Sequence, residues 1–230
     1  MMSSSKNPLI PIRQLYREAY DLLKSQYLIF VALSYGLILI SLFSPLAVLL
    51  GPSCAMIHAA IGQKQIKGQI TLSDLPQCLP SSLDAFLAYM MLLASCFVFL
   101  VPTSLVIYYA SSNWQSLTDQ QTIPGELLLT VGLLIAPTLG VIQLSVCVPF
   151  LFTICAIVQD NCNAVDAIKT SLTLITQNLS LVLRTSATLI AGHVVALMLF
   201  IIPAIFLLPL HFAALHLLYQ KLAQSKAFAD

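Results

Sequence analysis

Charge is what this sequence lacks. Charged residues make up 8% of its 230 residues, where a soluble globular domain carries about 25%, so too little charge is present to cover a water-facing surface. Ten Lys or Arg against nine Asp or Glu leave a net charge of +1, which excludes the basic face of a nucleic-acid-binding domain. Also missing are HExxH, GxSxG, Walker-type and GxGxxG motifs, which removes the commonest hydrolase, nucleotide-binding and dinucleotide-binding classes. The six cysteines form no CxxC pair, so no metal site and no cofactor are expected. What is abundant is apolar: 59% of the chain, with mean hydropathy +0.92. These values predict an all-α integral membrane protein.

A helix needs about 20 apolar residues to cross a bilayer. Uncharged stretches of that kind occupy 27–44, 45–61, 85–110 and 127–158, and a fifth region, 179–220, has room for two more. Proline disfavours helix in the residue before it, so the fifth region is divided at Ile202-Pro203 into spans 179–202 and 203–220. The sequence therefore predicts six transmembrane helices as three hairpins, with a cytoplasmic segment 1–26, a membrane domain 27–222 and a tail 223–230. Pro137, Gly140 and Pro149 sit inside 127–158, which reads as one kinked or tilted span.

Cations set the orientation. With the N-terminus inside, all ten Lys and Arg lie in or beside cytoplasmic segments, and the outer loop Ser111–Gly125 has none. That distribution follows the positive-inside rule and predicts cytoplasmic N- and C-termini. Tyr108, Tyr109 and Trp114 outside, and Tyr27 and Tyr219 inside, stand where an aromatic belt belongs. Twenty-six mostly polar residues precede the first apolar run, and no small-x-small cleavage site follows it, so the first span is expected to remain in the mature protein.

Each hairpin is preceded by an amphipathic segment on the cytoplasmic side. Ile12, Leu15, Tyr16, Ala19, Leu22 and Leu23 recur at helical spacing, as do Val165, Ile168, Leu172 and Ile175. Asn163 with Asp166 resembles a capping arrangement. A weaker version, Thr71–Asp84, is broken by Pro76 and Pro80. Such segments lie flat at the interface and orient the hairpins, or bind lipid headgroups or a partner. Small residues four apart (Gly51, Ala55, Ala59; Gly132, Ala136, Gly140; Thr188, Gly192, Ala196) predict close helix–helix contacts, within one bundle or between copies.

Few side chains inside the expected spans carry chemistry. Cys54, Cys96, Cys147 and Cys155 read as small apolar fillers, and a disulfide is not expected, because Cys78 and Cys162 face the reducing side. Counted from Ile202-Pro203, His193 and His211 fall at similar depth near mid-membrane, where an ionisable residue suggests a site. They either share a ligand or each donate one hydrogen bond to a neighbouring helix. Arg184, the only cation inside a span, pairs with Asp160, Asp166 or an anionic headgroup, or snorkels to the interface. His58 and His216 fall near the cytoplasmic interface and call for no special explanation.

Between the fourth and fifth spans the order is Val158-Gln159-Asp160-Asn161, then Ala164, Ala167-Ile168, Ser171-Leu172 and Asn178. This resembles YciC-type bacterial inner-membrane proteins, and is similar to the membrane domain that accompanies some glycerophosphodiester phosphodiesterases. Cys162-Asn163 stand where those families commonly carry glycine. The resemblance implies a bacterial cytoplasmic-membrane protein with six spans. It implies no phosphodiesterase activity, because the catalytic domain is missing. Asp160, Asn161, Ser171 and Asn178 are expected to form a structural elbow through side-chain-to-backbone hydrogen bonds.

The function expected is that of a non-enzymatic envelope scaffold or accessory subunit, surrounded by membrane lipids and joined to a membrane-protein partner or a second copy. The alternative is a small-molecule or lipid carrier centred on His193, His211 and Arg184. A scaffold should have a dry, tightly packed core, and a carrier a cavity open to one side with polar groups converging on it.

Overall fold

The computed structural model describes residues 11–42, 49–78, 83–97, 150–199 and 201–227. Every regular element among them is helical. Helix α1 (Ile12–Leu23) passes through a 3-10 turn, Lys24–Gln26, into α2 (Tyr27–Leu42), and α3 spans Leu50–Lys67. A 3-10 segment, Leu72–Cys78, precedes α4 (Leu83–Phe97). Then come α5 (Thr153–Asp160), α6 (Ala164–Gln177), α7 (Leu179–Leu199) and α8 (Ile201–Ala227). Helix α8 is the axis of the assembly: α1, α2, α3, α5 and α7 all pack against it.

The helix ends obey local chemistry, and this moves several expected boundaries. Helix α3 runs past the apolar stretch that ends at Ile61 and stops where Gly68 turns left-handed at φ 77°, its N–H bonded to the Lys64 carbonyl at 2.8 Å. That conformation suits a residue without Cβ. The expected break at Ile202-Pro203 is not found, because both residues lie within α8.

Among the described residues one stretch, Ile205–Ser225, is long and apolar enough to cross a membrane, and Leu83–Phe97 and Leu179–Gly192 are shorter apolar helices. Six such helices are not present among the described residues. Helix α2 is described over Tyr27–Leu42, and α3 carries Lys64 and Lys67 in its last turn. Most of 127–158, part of 85–110, and with them Gly132, Ala136, Gly140 and the outer loop, lie outside the described residues.

The amphipathic segments need correction. The α1 stripe does not lie open to lipid or a partner: Leu15, Ala19 and Leu23 are buried in the core built around α8. The Glu18–Lys221 ion pair at 2.5 Å fastens the opposite edge of the same contact. The Thr71–Asp84 segment is a 3-10 turn through Cys78, held by the Asp74 carboxylate, which accepts from the Thr71 N–H at 2.8 Å and from the Lys67 ammonium at 2.7 Å. In α6 the stripe divides. Ala164, Ala167, Ser171, Leu174 and Ile175 face the protein, whereas Val165 and Leu172 point outward. Small residues let α6 pack closely beside α5, so they take the buried face ahead of larger ones.

Candidate ligand cleft

Three helices converge at the end of the bundle where α5 stops. A cavity of about 660 Å³ opens there between α3, α5 and α8. Helical spacing explains its lining. On α3, Ala59, Gly62, Gln63 and Ile66 recur at i, i+3, i+4 and i+7, and on α8 His216, Gln220, Ala223 and Gln224 recur at i, i+4, i+7 and i+8, so each set shares one helix face. Helix α5 contributes its last turn, Val158, Gln159 and Asp160, followed by Asn161.

The polar groups are linked. The Gln159 amide lies 3.1 Å from His216 Nδ1 and donates to the His216 carbonyl at 3.4 Å. Gln65 and Gln220 face each other as a reciprocal carboxamide pair at 3.1 and 3.0 Å, and Gln220 Nε2 is 3.4 Å from His216 Nε2. The Tyr219 hydroxyl donates to Asp160. Gln63 Oε1 is buried without a hydrogen-bond partner, an arrangement that costs about 1–3 kcal/mol when a buried acceptor stays unpaired. Among the lining residues the sole charge is Asp160, and none is Lys or Arg.

Behind the cleft lies a second layer. His216 stacks on His58 with ring centroids 5.8 Å apart and 15° between planes, and Phe212 meets His58 edge-on at 5.3 Å. The Cys155 thiol lies 3.7 Å from His58 Nδ1. A Cβ on Gly62 would touch the His216 ring at 3.5 Å, an ordinary contact. Among the described residues no group of three or more His, Cys, Asp or Glu is arranged to hold a metal ion.

The residues expected to form an elbow lie next to the cleft, and Asp160 accepts from the Tyr219 side chain where a backbone partner was expected. Asn161 ends α5 in the left-handed region at φ 51°, a conformation asparagine tolerates better than most side chains. Asn163 caps α6 by accepting from the Asp166 N–H at 2.9 Å. The Asn163 side-chain bond, with Lys169 beside it, holds the Asp166 carboxyl below the usual aspartate value. Ser171 is buried and its hydroxyl accepts the Phe152 N–H at 3.1 Å, securing the start of α5. Asn178 closes α6 by donating to the Leu174 carbonyl at 3.0 Å, and its own carbonyl accepts from Val182 at the start of α7.

The histidines singled out from sequence sit elsewhere. His211 is buried on α8 with the Tyr16 ring of α1 edge-on at 5.9 Å, and a Cβ on Gly192 would lie 3.8 Å from its Nε2. The His193 side chain lies outside the described residues, so a His193–His211 contact is not among the features described. Arg184 is exposed and, among the described residues, makes no ion pair with Asp160 or Asp166; Asp166 pairs with Lys169 at 3.2 Å. Neither His211 nor Arg184 lines the cleft. Sequence reading passed over His58, His216 and Gln159. The signal available was the density of glutamine in the last turns of α3 and α8, where Gln63, Gln65, Gln220 and Gln224 interrupt apolar runs.

No protein-family model, curated protein or solved structure matches this chain.

Proposed function

We propose that this chain is a non-enzymatic, multi-pass protein of the bacterial cytoplasmic membrane, both termini inside, that holds a small molecule at the cytoplasmic end of its bundle. The observation that carries the binding role is the cleft, where polar groups from three helices converge on a cavity open to one side, the feature that separates a carrier from a scaffold with a dry core. The site proposed is this cleft, in preference to His193, His211 and Arg184. Membrane residence is supported by the one-sided distribution of cations and by large apolar side chains turned outward on α2, α4 and α7, among them Leu28, Leu87, Met91, Leu183 and Ile190. Six spans in three hairpins, and kinship with YciC-type proteins through residues 158–178, belong to the same proposal.

A scaffold or accessory subunit is the second reading. Gly51 favours it: a Cβ there would stand 2.4 Å from the Ala85 carbonyl oxygen, a backbone approach suited to tight, static packing. Its partners would be a membrane protein or a second copy, with lipids around them. Two measurements test these readings. Alkaline phosphatase fused after Gln115 should be active in cells and the same enzyme fused after Asp230 inactive; the reverse pattern would overturn the topology. Native mass spectrometry from undelipidated membranes should find a monomer retaining one small molecule. A stoichiometric protein partner on an empty chain would decide for the scaffold.

A further inference from the structure

We infer that the cleft is built for an uncharged, hydroxyl-rich molecule, a sugar or polyol, and discriminates against anions; this rests on the binding role proposed above. Two observations point to that class. First, the lining holds a single carboxylate, Asp160, and no cation, so a phosphate or carboxylate entering it would meet one like charge and no counter-charge. Second, the polar lining is dominated by carboxamides. Each offers two donors and an acceptor, which matches hydroxyl groups that donate and accept at once. Gln159 already commits its amide nitrogen to His216, and that orients its side chain.

The remaining lining is apolar: Ala59, Gly62 and Ala223 with the larger Ile66 and Val158, surfaces suited to the C–H faces of a ring. The cavity, about 660 Å³, falls within the roughly 300–1,000 Å³ of small-molecule sites. The reciprocal Gln65–Gln220 pair at the exposed edge closes on itself without ligand and can open to exchange those bonds for ligand hydroxyls at little net cost, because like bonds replace like.

The test uses the full chain in phosphatidylcholine nanodiscs, with saturation-transfer NMR and titration calorimetry. The probes are maltose and myo-inositol, with glucose 6-phosphate as the anionic counterpart and spermidine as the cationic one. The expected result is saturable binding of at least one neutral probe, at least tenfold tighter than glucose 6-phosphate. Gln159→Ala should weaken it tenfold or more, and Arg184→Ala should leave it unchanged. Gln224→Ala, at an exposed position, keeps the test open if Gln159→Ala does not fold, and should weaken binding severalfold. Failure of both neutral probes, or equal binding of the phosphate, overturns the inference. Saturable binding of glucose 6-phosphate or spermidine that Gln159→Ala removes would overturn the ligand class and leave the binding role standing. A bare chain by native mass spectrometry would remove both.

Discussion

At the scale of single residues, glycines separate tight contacts from roomy ones. A Cβ on Gly51 would fall 2.4 Å from the Ala85 carbonyl oxygen and 2.6 Å from Tyr89 Cβ, and neither backbone nor Cβ can swing aside. Gly51→Ala is expected to lower stability by about 1–3 kcal/mol, the usual cost of overpacking. At Gly192 the nearest atom is a Leu207 methyl at 3.5 Å, an ordinary contact, so Gly192→Ala should be neutral or slightly stabilising. Thermal unfolding of both variants in the same detergent checks the pair, and equal melting temperatures would count against the α3–α4 contact. Lys64 makes a different kind of statement. It is 2% exposed, and its ammonium donates to Ser25 Oγ at 2.7 Å, Gln26 Oε1 at 3.1 Å and the Gly68 carbonyl at 3.3 Å. Gln26 in turn brackets the Ile70 backbone at 2.7 and 2.8 Å. A cation counted from sequence only as a marker of sidedness thus fastens the α1–α2 junction to the end of α3. Lys64→Met should cost about 1.5–3 kcal/mol, the scale of a charge-assisted hydrogen bond, read from the same unfolding curves.

Individual helices are set by their caps and by what each face meets. Asn163 is the sole side-chain N-cap among the helices whose caps are described. Asn163→Ala should therefore destabilise α6 by about 0.5–2 kcal/mol, visible as faster amide exchange in residues 164–168. Helix α1 responds to acid. Its Glu18 carboxyl is held below the ordinary glutamate value, first by the hydrogen bond from Lys221. A lowered folded-state value means the stabilisation is complete above the unfolded value near 4.5 and is lost as pH falls through the folded one. The pair is partly exposed, so its worth is about 0.2–1 kcal/mol. Amide exchange in Ile12–Leu23 should be slow from pH 7 down to about 5, after correction for intrinsic rates, and quicken below about 4. Exchange that stayed flat to pH 3 would show that Leu15, Ala19 and Leu23 hold α1 without help from the ion pair.

For the molecule as a whole, apolar surface faces two ways. Side chains such as Phe30, Phe152 and Leu218 are fully buried around α8, while Leu28 at 73% and Leu183 at 51% exposure point out. In the proposed membrane setting the outward set meets acyl chains. Brominated lipids mixed into the nanodiscs should then quench a tryptophan introduced at Leu183 far more than one introduced at Leu15. Comparable quenching at the two positions would contradict both the burial of α1 and the lipid-facing role of α7.

Helical class and the capping by Asn163 were legible in the sequence, because helix propensity and side-chain-to-backbone bonds act over four or five residues. Periodicity also showed that α1 has an apolar stripe, but not what covers it: protein and lipid are equally apolar, and the pattern of Leu15, Ala19 and Leu23 is the same against either. The division of α6, with Ala167 and Ser171 inward and Leu172 outward, likewise depended on how closely α5 approaches. The cleft was out of reach for the same reason. His58, Gln159 and His216 are separated by about a hundred and by 57 residues of chain, and no local rule relates them. Only the packing of α3, α5 and α8 put carboxamides from three helices around one cavity, and that packing is decided by the summed burial of surfaces far apart in the sequence.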